Sequence, residues 1–460
     1  MSRSALSVSP TDRRGIGRLL HLSATRTTPE GTSEICGECK KVVNWATLLE
    51  LLHTGGKSKI SGEGPPSPPP VNGGKGSCSR RQRGDGGRQP LWGFTVVINW
   101  KYVRRFDWLL LLAALALMAF GIVMIRGVEM NAIYEARTVR QSAYAVVGVL
   151  VFIAAVMIDY RLWARLWRVI YVVLLGLLGA VLVAGSAFGG ARSSFDLKLF
   201  RVEPSEMAKV LLVIVLAGYM AGHDMRQIRH VLITLGMTVV VMALIFVEPN
   251  LGGALLLAPV WLVMAFVGGM RIWHAGTLGL AAVAAIPISL RFLEGYQLQR
   301  IITFLDPSSD AAGNGYNTIQ ALIAIGSGGW TGQGYAQGVQ SQLHYLRQPY
   351  TDYMFSVMAE QLGFIGVCVF ITVVTLLLVR LLRAGSIATD SFGRLLAVGV
   401  AFNIFLQTAL HIAVNLNLVP TTGEPLPFIS FGGSSLVTFL FGLGIVESVV
   451  MRRKMLQFDW

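Results

Sequence analysis

At 460 residues, 53% hydrophobic and 14% charged, with a mean hydropathy of +0.58, the chain carries roughly half the ~25% charge content of a soluble globular protein, which argues against a water-soluble enzyme. The apolar segments run solid rather than alternating with polar residues, which excludes a transmembrane β-barrel. The net charge of +14 lies largely in a polar N-terminal tail and in short loops between apolar runs, the pattern of membrane topology and not of a nucleic-acid partner.

Residues 1–100 read as a disordered, low-complexity tail, with GEGPPSPPP, GGKGSCSRRQRGDGG and scattered Ser, Thr and Arg. The apolar patch Val42 to Leu52 is too brief to span, and no secretory signal is expected at the start. Cys36 and Cys39 form a CxxC whose only nearby cysteine is Cys78, with His53 lacking a partner at ligand spacing, so it reads as an incidental pair rather than a zinc knuckle.

From 101 to 460 the expectation is an all-α, polytopic membrane domain of about ten transmembrane helices. Apolar runs fall at about 108–126, 142–158, 168–185, 205–221, 231–247, 251–268, 273–291, 353–379, 393–415 and 428–450, each near the ~20 residues that cross a ~30 Å hydrocarbon core. Arg104, Arg105, Arg161, Arg165, Arg168, Arg226, Arg229, Arg271, Arg380, Arg383, Arg452 and Arg453 then lie on one side, so both termini are expected in the cytoplasm and the protein in the cytoplasmic membrane. The stretches Gly189 to Ser205, Glu248 to Gly252, Gly295 to Thr351 and Asn417 to Ser434 fall outside. The third, an extracytoplasmic loop of roughly sixty residues between spans seven and eight, is far longer than ordinary helix connections, and its glycines alternate with apolar and aromatic residues. Chemistry is therefore expected at the outer face.

Polar residues inside spans are costly and normally face a bundle interior or a wet cavity. Glu206 and Lys209, spaced i, i+3, can pair on one helix face, either as a self-neutralising ion pair or as a pair facing substrate. Asn403, Gln407, His411 and Asn415 recur every four residues as a polar stripe; the first two suit interhelical hydrogen bonds, while the last two are open between that role and a cavity wall. Glu360 lies two turns below Asp352, with structural and functional readings both open.

The stretches VEPSEMAK (Val202 to Lys209), EPNLGGALLL (Glu248 to Leu257), YQLQRIITFLDP (Tyr296 to Pro307), GNGYNTIQALIAIGSGGWTGQGYAQGVQSQL (Gly313 to Leu343), YTDYMFSVMAEQLGFIG (Tyr350 to Gly366) and PLPFISFGGSSL (Pro425 to Leu436) resemble the shape, elongation, division and sporulation (SEDS) family, with its RodA branch the nearest in pattern. The resemblance covers about residues 101–455, six motifs in the family's order, and implies a peptidoglycan glycosyltransferase for cell elongation and rod shape. The acidic and basic groups the family is thought to use are retained as Asp352, Glu206 and Lys209. Several positions depart from the pattern: Glu248, Asn250 and Gly253 stand in a Gln-Pro-Asp-Leu-Gly-Thr motif, Tyr350 and Tyr353 in His-Thr-Asp-Phe, and Gln361 for a second Glu. Ser193 and Ser194 follow Arg192, His411 replaces Asn, and Glu424 stands where an apolar residue is preferred.

The chemistry such an enzyme needs is modest. Joining a sugar hydroxyl to the anomeric carbon of a second carrier-linked unit expels a polyprenyl pyrophosphate, a good leaving group once its charge is neutralised, so the two-carboxylate device of glycosidases is not required. Asp352, where the long loop meets span eight, is the expected general base. Glu206, Lys209, Arg192, Arg201, Arg300, Arg347 and His411 are the expected substrate-binding residues, the arginines holding phosphate in bidentate fashion. No cofactor is demanded; a divalent ion, magnesium or manganese, is compatible with carboxylate and phosphate oxygens. The expected partners are lipid II, the polyprenyl-pyrophosphate-linked disaccharide peptide, and, by the resemblance, a class B penicillin-binding protein. A flippase for the same lipid and a noncatalytic scaffold for a cell-wall synthase are the alternative readings; the absence of a visible two-half repeat weakens a secondary carrier.

Overall fold

A computed structural model describes residues 105–453 except 130–136, 189–190, 197–200, 249, 290–294, 308–312 and 344; the expected tail over 1–100 lies outside the described residues. All ten expected spans are helices: α1 (Trp108–Glu129), α2 (Arg137–Met157), α3 (Tyr160–Ala184), α4 (Pro204–Ala221), α5 (Ile228–Val247), α6 (Leu251–Val267), α7 (Ile272–Ser289), then, beyond the long loop, α11 (Met354–Ile387), α12 (Ser391–Asn415) and α13 (Gly433–Met451). Eight of them are long and apolar enough to cross a membrane by length and composition, and α6, at 17 residues, is a shorter apolar helix.

Local chemistry sets the boundaries. The Asp159 carboxylate accepts from the Arg161 amide at the start of α3, the Asn250 side chain from the Gly253 amide at the start of α6, and Asp390 from Gly393 at the start of α12, while Pro204 opens α4 where its missing N–H is harmless. Burial then sorts the helices into layers. About 78% of the α4 span and 83% of α13 is buried against 17% of α3, so α4, α12 and α13 form the inside of the bundle and α3 a lipid-facing flank.

Polar contacts tie each end of the bundle. At one end Arg380 grips Asp107 (2.6 Å), Glu447 accepts from the Asp107 amide, Arg105 donates to the Arg453 carbonyl, and Arg452 reaches the Met157 carbonyl. At the other end lie described residues of the stretches expected outside, with Glu203 bonded to Ser434, Thr351 to Ser430 and Gly252 packed on Thr422.

Two features there depart from a plain helical reading. The stretch after α3 forms a small antiparallel sheet, β1 (Ser186–Phe188), β2 (Ala191–Asp196) and β3 (Arg201–Val202), in that order. The long loop is folded into α8 (Gly295–Leu305), α9 (Asn314–Ser327) and the single turn α10 (Val339–Gln342). It docks into a break in α11: Gly363 has φ 65 and ψ −166, and the amides of Phe364 and Ile365 donate to the carbonyls of Gly329 and Trp330 at 2.9 and 3.1 Å. In return the amides of Gln333 and Gly334 donate to Glu360 and Gln361. The backbone groups freed by the break are thus satisfied by protein, the condition for irregular backbone at membrane depth. Glu360 takes its structural reading: buried, it accepts from the amides of Gln340 (2.6 Å) and Ser341 (3.1 Å) and so pins α10.

Candidate active site

Asp352 sits in the turn between the long loop and α11, half-buried. The N-cap of α11 is Tyr353, with no side-chain capping bond, so helix capping is not what occupies the Asp352 carboxylate. Its backbone carbonyl accepts from the Asn415 side chain at 2.9 Å, and Asn415 also takes the amide and hydroxyl of Ser356. Ser430 donates to the neighbouring Thr351 carbonyl at 2.7 Å, and the Phe431 amide to the Tyr350 carbonyl at 2.8 Å. The turn carrying the carboxylate is therefore clamped by α12 on one side and by the 416–432 loop on the other. Burial raises the Asp352 carboxyl above the usual aspartate range, opposed by its hydrogen bond with Thr351 and by the positive charge of Arg300. Next to it, burial pushes the Tyr353 phenol up to about 12.

Beneath this turn lies a buried charge cluster. The Lys209 ammonium donates to Glu206 (2.7 Å), to Glu424 (2.7 Å) and to Gln407 (3.0 Å). An ammonium has three donors, and here protein acceptors use all three. The Glu206–Lys209 pair was readable from i, i+3 spacing; Glu424, 215 positions from Lys209, was visible only as a departure from the family pattern. Gln407, expected as a hydrogen-bonding residue, has that role. Burial raises the Glu424 carboxyl, with the Lys209 charge pulling it back. Glu203, just before α4, is raised by burial and then by the Glu206 charge, and Glu248, after α5, is pushed up to about 8 by burial and then by Glu203.

The other expected site residues divide. Arg300, on α8, is close enough to Asp352 to bias its ionisation and donates to the Thr421 carbonyl at 3.3 Å. Arg201, in β3, donates to Ser194 at 2.9 Å and lies 3.4 Å from Glu203, while its carbonyl accepts from Ser434 of α13. Arg192 lies in β2, paired with Ala187. Arg347 is exposed, its amide on the Asn317 side chain. His411 is buried, with Nδ1 at 2.9 Å from the Glu424 carbonyl, so it fastens the 416–432 loop. Glu206, Lys209 and His411 are all buried beneath the Asp352 turn, and Oε2 of Glu206 and Nε2 of His411 have no hydrogen-bond partner.

Among the described residues no three His, Cys, Asp or Glu side chains gather as a metal site, and the Glu206 and Glu424 carboxylates are engaged by Lys209.

A bundle of apolar helices with its polar loops gathered over a buried charge cluster defines a polytopic membrane protein with a site at one membrane face. The chain belongs to the FtsW, RodA and SpoVE family of cell cycle proteins, whose pattern matches residues 107–455. It is 36% identical to a probable peptidoglycan glycosyltransferase FtsW of Trichlorobacter lovleyi, over 75% of this chain and 93% of that protein, and 35% identical to the peptidoglycan glycosyltransferase MrdB of Escherichia coli K12, over 69% and 86%. Among solved structures it resembles a chain described under "Structural coordination of polymerization and crosslinking by a peptidoglycan synthase complex" (TM-score 0.66, 31% identity, 76% and 98% covered). It also resembles the rod shape determining protein RodA of Thermus thermophilus (TM-score 0.58, 29% identity, 76% and 98% covered).

Proposed function

We propose that this chain polymerises lipid II into glycan strands at the outer face of the cytoplasmic membrane, with Asp352 as the general base. Its class, a membrane glycosyltransferase of peptidoglycan synthesis, follows from family membership and from relatives named for that activity. The observation that carries the site is the half-buried Asp352 carboxylate, held by its backbone at the junction of the long loop and α11, beside Arg300. A hydroxyl oxygen of one lipid-linked sugar attacks the anomeric carbon of another. The new C–O bond forms as the carbon–phosphate-oxygen bond breaks, the pyrophosphate leaves with that electron pair, and the hydroxyl proton passes to Asp352. Arg300, Arg201, Arg347 and Arg192 are the cations assigned to the pyrophosphate, because Lys209 has no donor left.

A general base contributes about 10² to 10⁴-fold, so Asp352→Asn is expected to abolish detectable polymer while leaving folding and lipid II binding intact. Purified protein with lipid II and no other polymerase should yield glycan polymer. A flippase or a scaffold would yield none, and activity within a few-fold of the parent in Asp352→Asn would remove the base assignment.

Similarity to relatives named FtsW and MrdB is nearly equal, so the elongation role rests on the motif resemblance and is tested by whether the chain restores rod shape to cells depleted of MrdB. A class B penicillin-binding protein is the assigned partner, in keeping with a structural relative described as a synthase complex of polymerisation and crosslinking. Cytoplasmic termini rest on the distribution of arginine.

A further inference from the structure

The turn Thr421 to Pro425, between α12 and α13, is fastened along its length. The Thr421 carbonyl accepts from Arg300, the Glu424 carbonyl lies against His411 at 2.9 Å, the Pro425 carbonyl accepts from Gln407 at 2.8 Å, and the Glu424 carboxylate accepts from the Lys209 ammonium at 2.7 Å. Gly423 lies between these anchors with φ +74, the left-handed region that favours glycine, and a Cβ built on it would sit 4.0 Å from Oδ2 of Asp352. The backbone that holds Glu424 is thus the backbone that borders the Asp352 carboxylate.

The start of α6 is shaped around the same side chain. A Cβ on Gly252 would meet the Thr422 carbonyl at 2.6 Å and Cγ of Glu424 at 3.2 Å, and one on Gly253 would meet Oε1 of Glu424 at 3.0 Å. The absence of a side chain at Gly252 and Gly253 therefore leaves the space that the Glu424 side chain fills. A buried carboxylate is costly to keep without a partner, and here it has one and a fitted recess.

We propose that Glu424 is a positioning residue of this polymerase: by holding Lys209 it locks the Thr421 to Pro425 turn against Asp352, so the buried charge cluster fixes the place of the reacting carboxylate. This rests on Asp352 being the base. A carboxylate misplaced by about 1 Å costs on the order of 10²-fold in rate. The effect falls on kcat and not on KM, because Glu424 touches no substrate.

The test compares Glu424→Leu, which keeps volume and loses both acceptors, with Glu424→Gln, which keeps one acceptor oxygen for Lys209, alongside Asp352→Asn, in lipid II polymerisation by the purified full chain. Glu424→Leu is expected to lower kcat at least about tenfold with KM within about threefold, and Glu424→Gln to stay within about threefold of the parent. Gly423→Ala, strained by its φ, gives a second perturbation of the same turn if Glu424→Leu does not fold, and is expected to lower kcat without raising KM. Full activity in Glu424→Leu, or in Gly423→Ala where the former does not fold, overturns the proposal, as does a loss in Glu424→Leu carried by KM or shared equally by Glu424→Gln. An inactive Asp352→Asn beside a fully active Glu424→Leu sinks the positioning role alone, whereas an active Asp352→Asn sinks the base assignment beneath it.

Discussion

Glu248 shows how one residue can be read in the sequence and still be misplaced in energy. It is buried, both carboxylate oxygens lack a hydrogen-bond partner, and its pKa is pushed up to about 8 from an ordinary 4.5. Between those values the folded protein holds more protons than the unfolded chain, so this group's contribution to stability is fully present below 4.5 and is lost as pH rises toward 8. Glu248→Gln removes the titration. Thermal unfolding in detergent is expected to show the parent losing stability as pH rises from 4.5 to about 8, with the variant flatter and more stable at the upper end because an amide has no charge to bury. A parent and variant with parallel pH profiles would refute the assignment. The Glu206–Lys209 pair was legible because i, i+3 spacing is a property of one helix. The Lys209–Glu424 contact was not, because nothing local brings residues 215 positions apart together.

At the scale of elements, the sequence shows α11 as a solid apolar run and the loop before it as a folded surface segment, but not that the two interlock. A glycine such as Gly363 inside an apolar run is commonplace in membrane helices, so the break becomes visible only once the 328–334 segment is seen to supply the missing backbone partners. The small β-sheet escaped for a related reason: pairing of short strands depends on context more than on intrinsic preference. Gly332 is the residue on which the interlock turns. Its φ is +80, and a Cβ there would fall 2.1 Å from the Gln361 carbonyl oxygen, so a side chain can be accommodated only if the loop lifts from α11. Gly332→Ala is expected to cost about 1–3 kcal/mol in thermal stability and to reduce polymerisation through displacement of the Asp352 turn that follows. An unchanged melting temperature with parental activity would show that the interlock contributes neither.

The whole molecule was the most legible level, because solid apolar runs and the placement of arginine are written along the chain and need no tertiary knowledge. All ten expected runs are helices, and the residues assigned to each side cluster at opposite ends: Arg105, Asp107, Arg380 and Arg453 at one, Glu203, Thr422, Asp352 and Ser430 at the other. Which end faces the cytoplasm is tested by labelling in spheroplasts, with the four native cysteines replaced by serine. A cysteine at Leu418, 65% exposed, is expected to react with a membrane-impermeant maleimide in intact spheroplasts, and one at Arg229, also exposed, only after permeabilisation. The reverse order would invert the topology and place Asp352 on the side where the proposed reaction does not occur.

Residues 1–100 pose the remaining question at this scale, since the family match spans 107–455 and the apolar runs begin at Trp108. The tail has no run long enough to span, and its Pro, Gly, Ser and Arg content leaves little apolar surface with which to build or extend a core. Its arginines lie ahead of the first span, where they add to a positive-inside bias that Arg104, Arg105 and the loop arginines already supply. Deleting residues 2–98 is therefore expected to leave membrane insertion, detergent stability and lipid II polymerisation within about twofold of the full chain. Aggregation of the shortened protein in detergent, or a polymerase rate that collapses while the fold persists, would show that the tail contributes to folding or to the site.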